Sequence, residues 1–292
     1  MLRGLLAAVV VVSGAQFGAP ASAAPASIRI MPLGDSITAG AGAPGREGYR
    51  LVLQRRLERA GTAFDFVGSQ RGGIGGDPDH EGHGGWTIEQ LSERVGDWLD
   101  TYAPDVVLLH AGTNNITRGD DPAEVARKLS ALVDLILATA PRTRIFVSTV
   151  VGTNVLSEMA ANHAYNALIP AVVAGKGPRV RLVDQAPVSG LSIYDRHHPN
   201  AHGYARMAHS WYEAMRTELG PAWPDEADPD SADLVYLCHH HGSVRVCRWW
   251  QRKPAGRGSL TEREVGQRVP CVAGLRVSRD QADRGDPRPD RQ

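Results

Sequence analysis

Short apolar runs alternate with amphipathic segments from residue 28 to residue 219, and this alternation strongly limits the fold. The apolar runs predict five strands, at residues 28–33, 64–68, 105–110, 144–150 and 179–183. Between and after them, apolar residues recur at three- and four-residue spacing, which predicts helices at residues 49–60, 88–102, 122–140, 156–174 and 201–219. Because such alternation is typical of a parallel sheet with helices on both faces, we predict an α/β fold: a three-layer α/β/α sandwich with a five-stranded parallel sheet.

The N-terminal end of the chain differs in character from this region. Arg3, the apolar run at residues 5–12 and the small residues at 21–23 are typical of an export signal. We therefore predict that residues 1–23 are a signal peptide and that the protein is secreted and extracellular. A membrane anchor is the alternative, but Ser13 and Gly14 end the apolar run well short of the roughly 20 residues that a span needs.

The C-terminal end, residues 220–292, begins as a Pro-containing linker and continues as an Arg-rich segment with little periodicity. We predict a linker followed by a disordered tail. The three cysteines, Cys238, Cys247 and Cys271, all lie in this segment, and an odd number is unusual in an exported chain. Translation of a shifted reading frame and a small cysteine-stapled module are therefore kept as alternatives.

Ser36 lies in the sequence Gly34-Asp35-Ser36, where the first predicted strand ends. Sheets of this kind bind ligands beyond the carboxyl ends of their strands, so a serine at this point can meet a substrate. Its hydroxyl becomes a nucleophile only when a base removes the proton. Taken alone, the motif is also ordinary turn chemistry.

Asp195 and His198 supply a candidate base in the loop before the last predicted helix. Their three-residue spacing lets the carboxylate receive one imidazole N–H and directs the other ring nitrogen toward Ser36. Helix capping by Asn200 and a metal site at His198 and His202 are the alternatives. Because a third metal ligand is not evident in the sequence, we predict no metal.

Two further motifs can stabilise charge. Asn114, in the sequence Gly112-Thr113-Asn114-Asn115 after the third predicted strand, can donate its amide N–H to the oxyanion of a tetrahedral intermediate. Capping of the turn is the alternative role. Glycines at residues 72–76 and 82–85 precede the second predicted helix, where their N–H groups can approach a substrate closely. Calcium binding by the acidic residues at 77–81 is a weaker alternative.

These four motifs, in this order, resemble the blocks of the SGNH (GDSL-type) hydrolase family. The resemblance covers residues 27–219 and implies an SGNH-type esterase domain there, with that family's flavodoxin-like fold. It further implies Ser36 as the nucleophile, His198 as the base and Asp195 as the residue that orients the base.

The same resemblance implies an oxyanion hole formed by the backbone N–H of Ser36, the N–H of Gly85 and the side chain of Asn114. Gly82 and Gly84 are alternatives to Gly85, because all three glycines are close in sequence. The family commonly has Asp after the oxyanion Asn, whereas this chain has Asn115. The hydrogen bonding around that residue is therefore left open.

Within the family, the sequences around Ser36, at Tyr49-Arg50 and at residues 80–86 look most like carbohydrate acetyl esterases, in particular acetylxylan esterases. This implies O-acetyl groups on plant polysaccharide as the substrate, an acyl-enzyme on Ser36 and no cofactor. Trp86 then stacks on a sugar ring or, alternatively, packs within its loop. A secreted lipase or lysophospholipase of the same family and an inactive polysaccharide-binding relative are the alternative functions.

Charge and composition bear on other partners. Lys and Arg number 32, as do Asp and Glu, so the formal net charge is zero. Without a basic face, we predict no nucleic-acid partner. We also expect no stable membrane association, because no stretch after the signal is apolar enough to cross a bilayer, and we expect a monomer.

Overall fold

The computed structural model describes residues 27 to 229 in full and, beyond them, the backbone of four strands. The first region is one seven-stranded sheet covered by helices on both faces. The strands are β1 (Ile28–Gly34), β2 (Phe64–Phe66), β3 (Gln70–Arg71), β4 (Asp79–Gly82), β5 (Val106–His110), β6 (Arg144–Ser148) and β7 (Val180–Val183). The helices are α1 (Gly48–Arg59), α2 (Ile88–Ser92), α3 (Val95–Tyr102), α4 (Thr113–Thr117), α5 (Pro122–Thr139), α6 (Met159–Ala174) and α7 (Ala201–Leu219).

The five predicted strands all occur, and they run parallel in the order β2-β1-β5-β6-β7. This order confirms the predicted three-layer fold with a central parallel sheet. The sheet also contains two strands that the sequence did not indicate: β4 pairs in parallel with the carboxyl end of β1, and β3 pairs antiparallel with β4. Both lie in the glycine-rich region, where short polar segments carry no apolar run to reveal a strand.

The central strands alternate their side chains between two buried faces, as expected when helices cover both sides of a sheet. Met31 of β1 packs with residues of α2, α3, α5 and α6, whereas its neighbour Ile30 packs with residues of α1 and α7. Both side chains are fully buried. These two hydrophobic clusters, one on each face of the sheet, place β1 and β5 in the middle of the molecule. The loops at the carboxyl ends of β1 and β5 lie at the same edge of the sheet.

Three helical predictions need correction. The single helix expected at residues 88–102 is divided into α2 and α3 by a turn, next to Gly96, whose low helix propensity weakens a continuous helix. The helix expected from residue 156 begins only at Met159. β5, the third of the predicted strands, is followed by the short helix α4, where a loop was expected. Gly112, which precedes the first residue of α4, has a φ of 114°. A side chain at Gly112 would meet Tyr165 Oη at 2.5 Å, so only glycine fits there.

The predicted linker is packed against the domain over its first residues. Trp223 stacks on Tyr212 with 5.8 Å between ring centroids, and Tyr212 Oη donates to the carbonyl oxygen of Pro224 at 2.8 Å. Glu226 accepts two hydrogen bonds from Arg59, at 2.7 and 2.6 Å. The folded unit therefore continues several residues beyond the boundary predicted at residue 219.

Farther along, the structure gives strand backbone to Leu234–His241, Val244–Gln251, Arg263–Glu264 and Val269–Pro270, which form a separate antiparallel sheet. These segments differ from the predicted disordered tail, and runs such as Val244-Arg245-Val246 contain the β-branched residues that favour strands. The rest of the predicted tail and the predicted signal peptide lie outside the described residues. Among the helices that the structure describes, none is long and apolar enough to cross a membrane.

Candidate active site

Ser36 lies directly beyond β1, at the carboxyl edge of the sheet. The buried side chain of Asp35 shapes this turn, because its Oδ1 accepts the N–H of Ile37 at 2.9 Å. Tyr204 of α7 adds a second support by donating its hydroxyl to the carbonyl oxygen of Ile37 at 3.2 Å. Ser36 itself is only partly buried. A tight strand-to-turn transition thus presents its hydroxyl at the edge where the sequence predicts a ligand.

A continuous chain of hydrogen bonds joins Ser36, His198 and Asp195. The distance between Ser36 Oγ and His198 Nε2 is 2.9 Å, and the distance between His198 Nδ1 and Asp195 Oδ2 is 2.8 Å. Both lie within the reach expected of a nucleophile, its base and the residue that orients the base. The structure therefore brings together the three residues predicted for catalysis, although Ser36 is 162 positions away from His198 in sequence.

The carboxylate of Asp195 is held in its charged form. Partial burial raises its pKa, but hydrogen bonds from the His198 N–H, the His198 ring and the His197 N–H outweigh that effect and lower the pKa to about 2. Both backbone N–H groups lie 2.9 Å from Asp195 Oδ1. Because the carboxylate is ionised at neutral pH, it accepts the Nδ1 proton of His198 and leaves Nε2 free to take the Ser36 proton.

Neighbouring segments fix the loop that carries the base. Asn200 Oδ1 accepts the N–H of Gly203 at 3.0 Å and caps α7, so the capping alternative is correct for Asn200 and coexists with the hydrogen-bonded role of His198. On the other side, the N–H of Asn154 donates to the carbonyl oxygen of Arg196 at 2.8 Å. His197 Nε2 lies 2.7 Å from a carboxylate oxygen of Glu158.

Two of the acidic residues weighed as a calcium site make other contacts. Asp77 accepts the N–H groups of Phe66 and Asp79, and Asp79 pairs with Arg71 at 2.7 Å. The Asp77 carboxylate therefore binds backbone N–H groups, and the Asp79 carboxylate binds an arginine. Within residues 27 to 229, no group of three His, Cys, Asp or Glu side chains is arranged to hold a metal ion.

The glycine loop before α2 offers two candidate oxyanion donors. Gly82 is excluded, because its N–H already donates to His80 Nδ1 at 3.0 Å. Among the described residues, the N–H groups of Gly84 and Gly85 have no hydrogen-bond partner, and both glycines are exposed. Gly85 has a φ of 80°, in the region that favours glycine. The assignment to Gly85 from the family resemblance stays a prediction, and Gly84 is its nearest alternative.

Asn114 lies on α4, where its side chain reaches the same loop. Its Nδ2 donates to the carbonyl oxygen of Trp86 at 2.8 Å and has a longer contact, 3.4 Å, with Asp35 Oδ2. The amide has two hydrogens, and the one that makes only the longer contact with Asp35 is the candidate donor to an oxyanion. The backbone N–H of Ser36 also has no partner within the described region.

Arg118 is a site residue that sequence reasoning missed. Its guanidinium donates to the carbonyl oxygen of Gly85 at 2.9 Å, from the C-terminal end of the helix that carries Asn114. The four-residue separation between Asn114 and Arg118 is the one signal for this role, because it places both side chains on one face of a helix. The signal becomes readable only once α4 is recognised as a helix.

Trp86 is partly buried and belongs to a cluster of rings. His83 stacks on Trp86 with 4.2 Å between centroids and on Trp98 with 4.8 Å. The fully buried Glu81 contacts His83 Nε2 and accepts two hydrogen bonds from Ser69. The ring of Trp86 therefore packs within its loop, and stacking of that ring on a sugar stays a prediction.

Comparison with known proteins agrees with this geometry. Residues 33–206 match the model of the GDSL-like lipase/acylhydrolase family. A family 3 carbohydrate esterase from Clostridium thermocellum is 36% identical, with a TM-score of 0.60, and the match covers 68% of this chain and 100% of that one. A family 3 carbohydrate esterase from Talaromyces cellulolyticus is 25% identical, with a TM-score of 0.57 and coverage of 65% and 97%.

A multidomain esterase from Ruminococcus flavefaciens is 29% identical over 259 residues, which is 74% of this chain. The chain spans about a third of the length of that relative, because the match covers 33% of it. Fold, site and comparisons together define a domain of the carboxylic ester hydrolase class. More particularly, this chain belongs to the GDSL-like lipase/acylhydrolase family, whose model matches more than half of its residues.

Proposed function

We propose that this protein is a secreted serine esterase that removes O-acetyl groups from polysaccharide such as acetylated xylan. The observation that carries the proposal is the hydrogen-bonded chain from Ser36 Oγ through His198 to Asp195, at the carboxyl edge of the sheet. The names of the similar proteins support a carbohydrate substrate, since two of them are family 3 carbohydrate esterases. Export, predicted from residues 1–23, suits a polymer found outside the cell.

The geometry supports a two-step acyl transfer. Ser36 Oγ attacks the acetyl carbonyl carbon while His198 Nε2 takes its proton, and Asp195 stabilises the resulting imidazolium. The C–O bond to the sugar then breaks, and His198 returns the proton to the leaving hydroxyl oxygen. A water molecule then attacks the acyl carbon while its proton passes to His198. The bond between that carbon and Ser36 Oγ breaks, acetate leaves, and His198 returns the proton to Ser36 Oγ. The oxyanion of each tetrahedral intermediate is stabilised by N–H donors from Ser36, Gly85 and Asn114.

The testing experiment measures acetate release from acetylated xylan by the full chain and by its Ser36→Ala variant. We expect acetate only with the native protein, because the variant has no nucleophile for the first step. Unchanged acetate release by Ser36→Ala would overturn the mechanism. Activity on aryl acetate without activity on the polymer would overturn the substrate class but keep the esterase.

One observation favours the lipase alternative. Four exposed apolar side chains lie on the two segments that flank the base, one running into the start of α6 and one preceding the base: Leu156, Met159, Leu191 and Tyr194. Leu156 is 84% exposed. The two segments are joined because Asn154 Nδ2 contacts the carbonyl oxygens of Gly190 and Asp195. A long acyl chain would bind along such a surface, so a rate that rises from acetate to decanoate esters would favour the lipase.

A further inference from the structure

We infer that Asn115 is a positioning residue, which fixes the glycine loop against α4 and so sets the separation of the Gly85 and Asn114 donors. The inference rests on the proposed function, because those two groups act as oxyanion donors only in an esterase.

The side chain of Asn115 is fully buried and makes three hydrogen bonds. Its Oδ1 accepts the N–H of Ile88 at 3.0 Å, and its Nδ2 donates to Glu89 Oε2 at 2.9 Å and to Asp120 Oδ2 at 2.8 Å. A flipped amide would face an N–H with its own NH₂ and two carboxylates with its oxygen. The partners therefore fix the orientation of the amide.

These bonds complete a set of links between α4 and the segment that contains the glycine donor. Asn114 donates to the carbonyl oxygen of Trp86, and Arg118 donates to that of Gly85. Asn115 adds the third link, to the first residue of α2, which follows the glycine loop. The links join the loop that carries the Gly85 donor to the helix that carries the Asn114 donor. Since a misplacement of about 1 Å can cost 10²-fold in rate, the links matter for catalysis.

The charges around Asn115 require a neutral donor at this position. Desolvation raises the pKa of Glu89, but hydrogen bonds from Lys128 and Asn115 outweigh it and lower that pKa to about 2. The hydrogen bonds from Asn115 and Lys128 likewise lower the pKa of Asp120. Lys128 Nζ contacts both carboxylates, at 3.0 Å in the case of Asp120. One cation thus faces two ionised carboxylates, and the Asn115 amide supplies the remaining donors.

An aspartate at position 115 would add a third negative charge to this cluster and remove both donors. Only the bond from the Ile88 N–H would persist, because a carboxylate can still accept it. A second substitution, E89Q, would restore the net charge. The amide that E89Q introduces would also donate to the carboxylate that N115D introduces, which reverses the direction of the original bond.

The first test is amide hydrogen exchange of the full chain, compared among the native protein, N115D and N115D/E89Q. We expect the N–H groups of residues 86–88, which are hydrogen-bonded in the native protein, to exchange at least about fivefold faster in N115D, because the links to α4 are weakened. Residues 195–198 serve as the internal control and should be unchanged. The double variant should return toward native exchange. Should N115D fail to fold, N115A removes the bonds without adding a charge and replaces it in the comparison.

The second test is hydrolysis of an aryl acetate by the same variants. We expect N115D to lower kcat by about 10- to 100-fold with little change in KM. The kcat of N115D/E89Q should be about tenfold higher than that of N115D. In an Asn114→Ala background, N115D should cost much less, because one of the two donors is already gone.

Three results would overturn the positioning role: unchanged exchange at residues 86–88, a full and additive loss in the Asn114→Ala background, or no recovery in N115D/E89Q. A native protein that cleaves no ester would instead overturn the proposed function, and the exchange measurement would still decide the structural link. The two failures are therefore distinguishable.

Discussion

The two sides of the site are held in opposite ways. The base arm, Asp195 and His198, lies on a partly exposed loop. It is held by hydrogen bonds between these two residues, which are three positions apart. The oxyanion arm, Gly85 and Asn114, comes from the glycine loop and from α4, which are joined by long-range bonds and supported by the buried side chain of Asn115. The comparison indicates that changes in the base arm affect chemistry with little effect on folding, whereas changes in the oxyanion arm affect both.

The largest effect should follow from His198→Ala, which removes the base. We expect kcat for aryl acetate to fall by about 10⁵- to 10⁶-fold, as is usual when the base of such a constellation is removed. The melting temperature should stay within a few degrees of native, because His198 lies on a partly exposed loop. His163→Ala, on the exposed face of α6, is the matched control. A loss below 100-fold would mean that another group accepts the Ser36 proton.

Asp195→Asn should have the next largest effect. The amide has similar shape but cannot hold the His198 tautomer that accepts the Ser36 proton, so we expect kcat to fall by about 10³- to 10⁴-fold. Aryl acetate kinetics at neutral pH measure this change. Near-native activity would show that backbone contacts alone orient His198.

Asn114→Ala tests the oxyanion arm directly. We expect kcat to fall by about 10²- to 10³-fold, as for loss of a single oxyanion donor. In contrast to the base-arm variants, this change also leaves the carbonyl oxygen of Trp86 without its Asn114 donor. Thermal unfolding should therefore show a lower melting temperature. A loss below tenfold would contradict the role of Asn114 as a donor.

Arg118→Gln should have a smaller effect on rate. Arg118 holds the carbonyl oxygen of Gly85. Because Asn114 would still hold the same loop at Trp86, we expect only about a tenfold fall in kcat. Arg127→Gln, on the exposed surface of α5, controls for the loss of a surface cation. Equal kinetics for the two variants would mean that the Arg118 contact has no part in positioning.

The smallest effect concerns the stability of the base arm at low pH. The folded-state pKa of Asp195, about 2, lies below the ordinary value of 3.8, so its contribution to stability is present above pH 4. That contribution is lost as the pH falls through about 2. We therefore expect the difference in melting temperature between the native protein and Asp195→Asn to be constant from pH 7 to pH 5, to shrink below pH 4 and to vanish below pH 2. A difference that grows on acidification would contradict this sign.

Much of the fold and of the base arm could be predicted from local sequence. The five parallel strands follow from short apolar runs, which burial on both faces of a sheet favours, separated by amphipathic segments, and Asp195 and His198 are three positions apart in the chain. Strands β3 and β4 could not be predicted in this way. β4 depends on pairing with the end of β1, and β3 depends on pairing with β4; short polar segments give no local signal for either pairing.

The oxyanion arm marks the limit of local information. Its residue types could be recognised in the sequence, because Asn and Gly at strand ends suit charge stabilisation. Only the tertiary structure decides that Gly82 is already bonded, that Arg118 holds Gly85, and that Asn115 lies between two carboxylates. The bond at Gly82 comes from the conformation of its own loop, whereas the contacts of Arg118 with Gly85 and of Asn115 with Glu89 join residues far apart in the chain and are set when the glycine loop and α2 pack against α4.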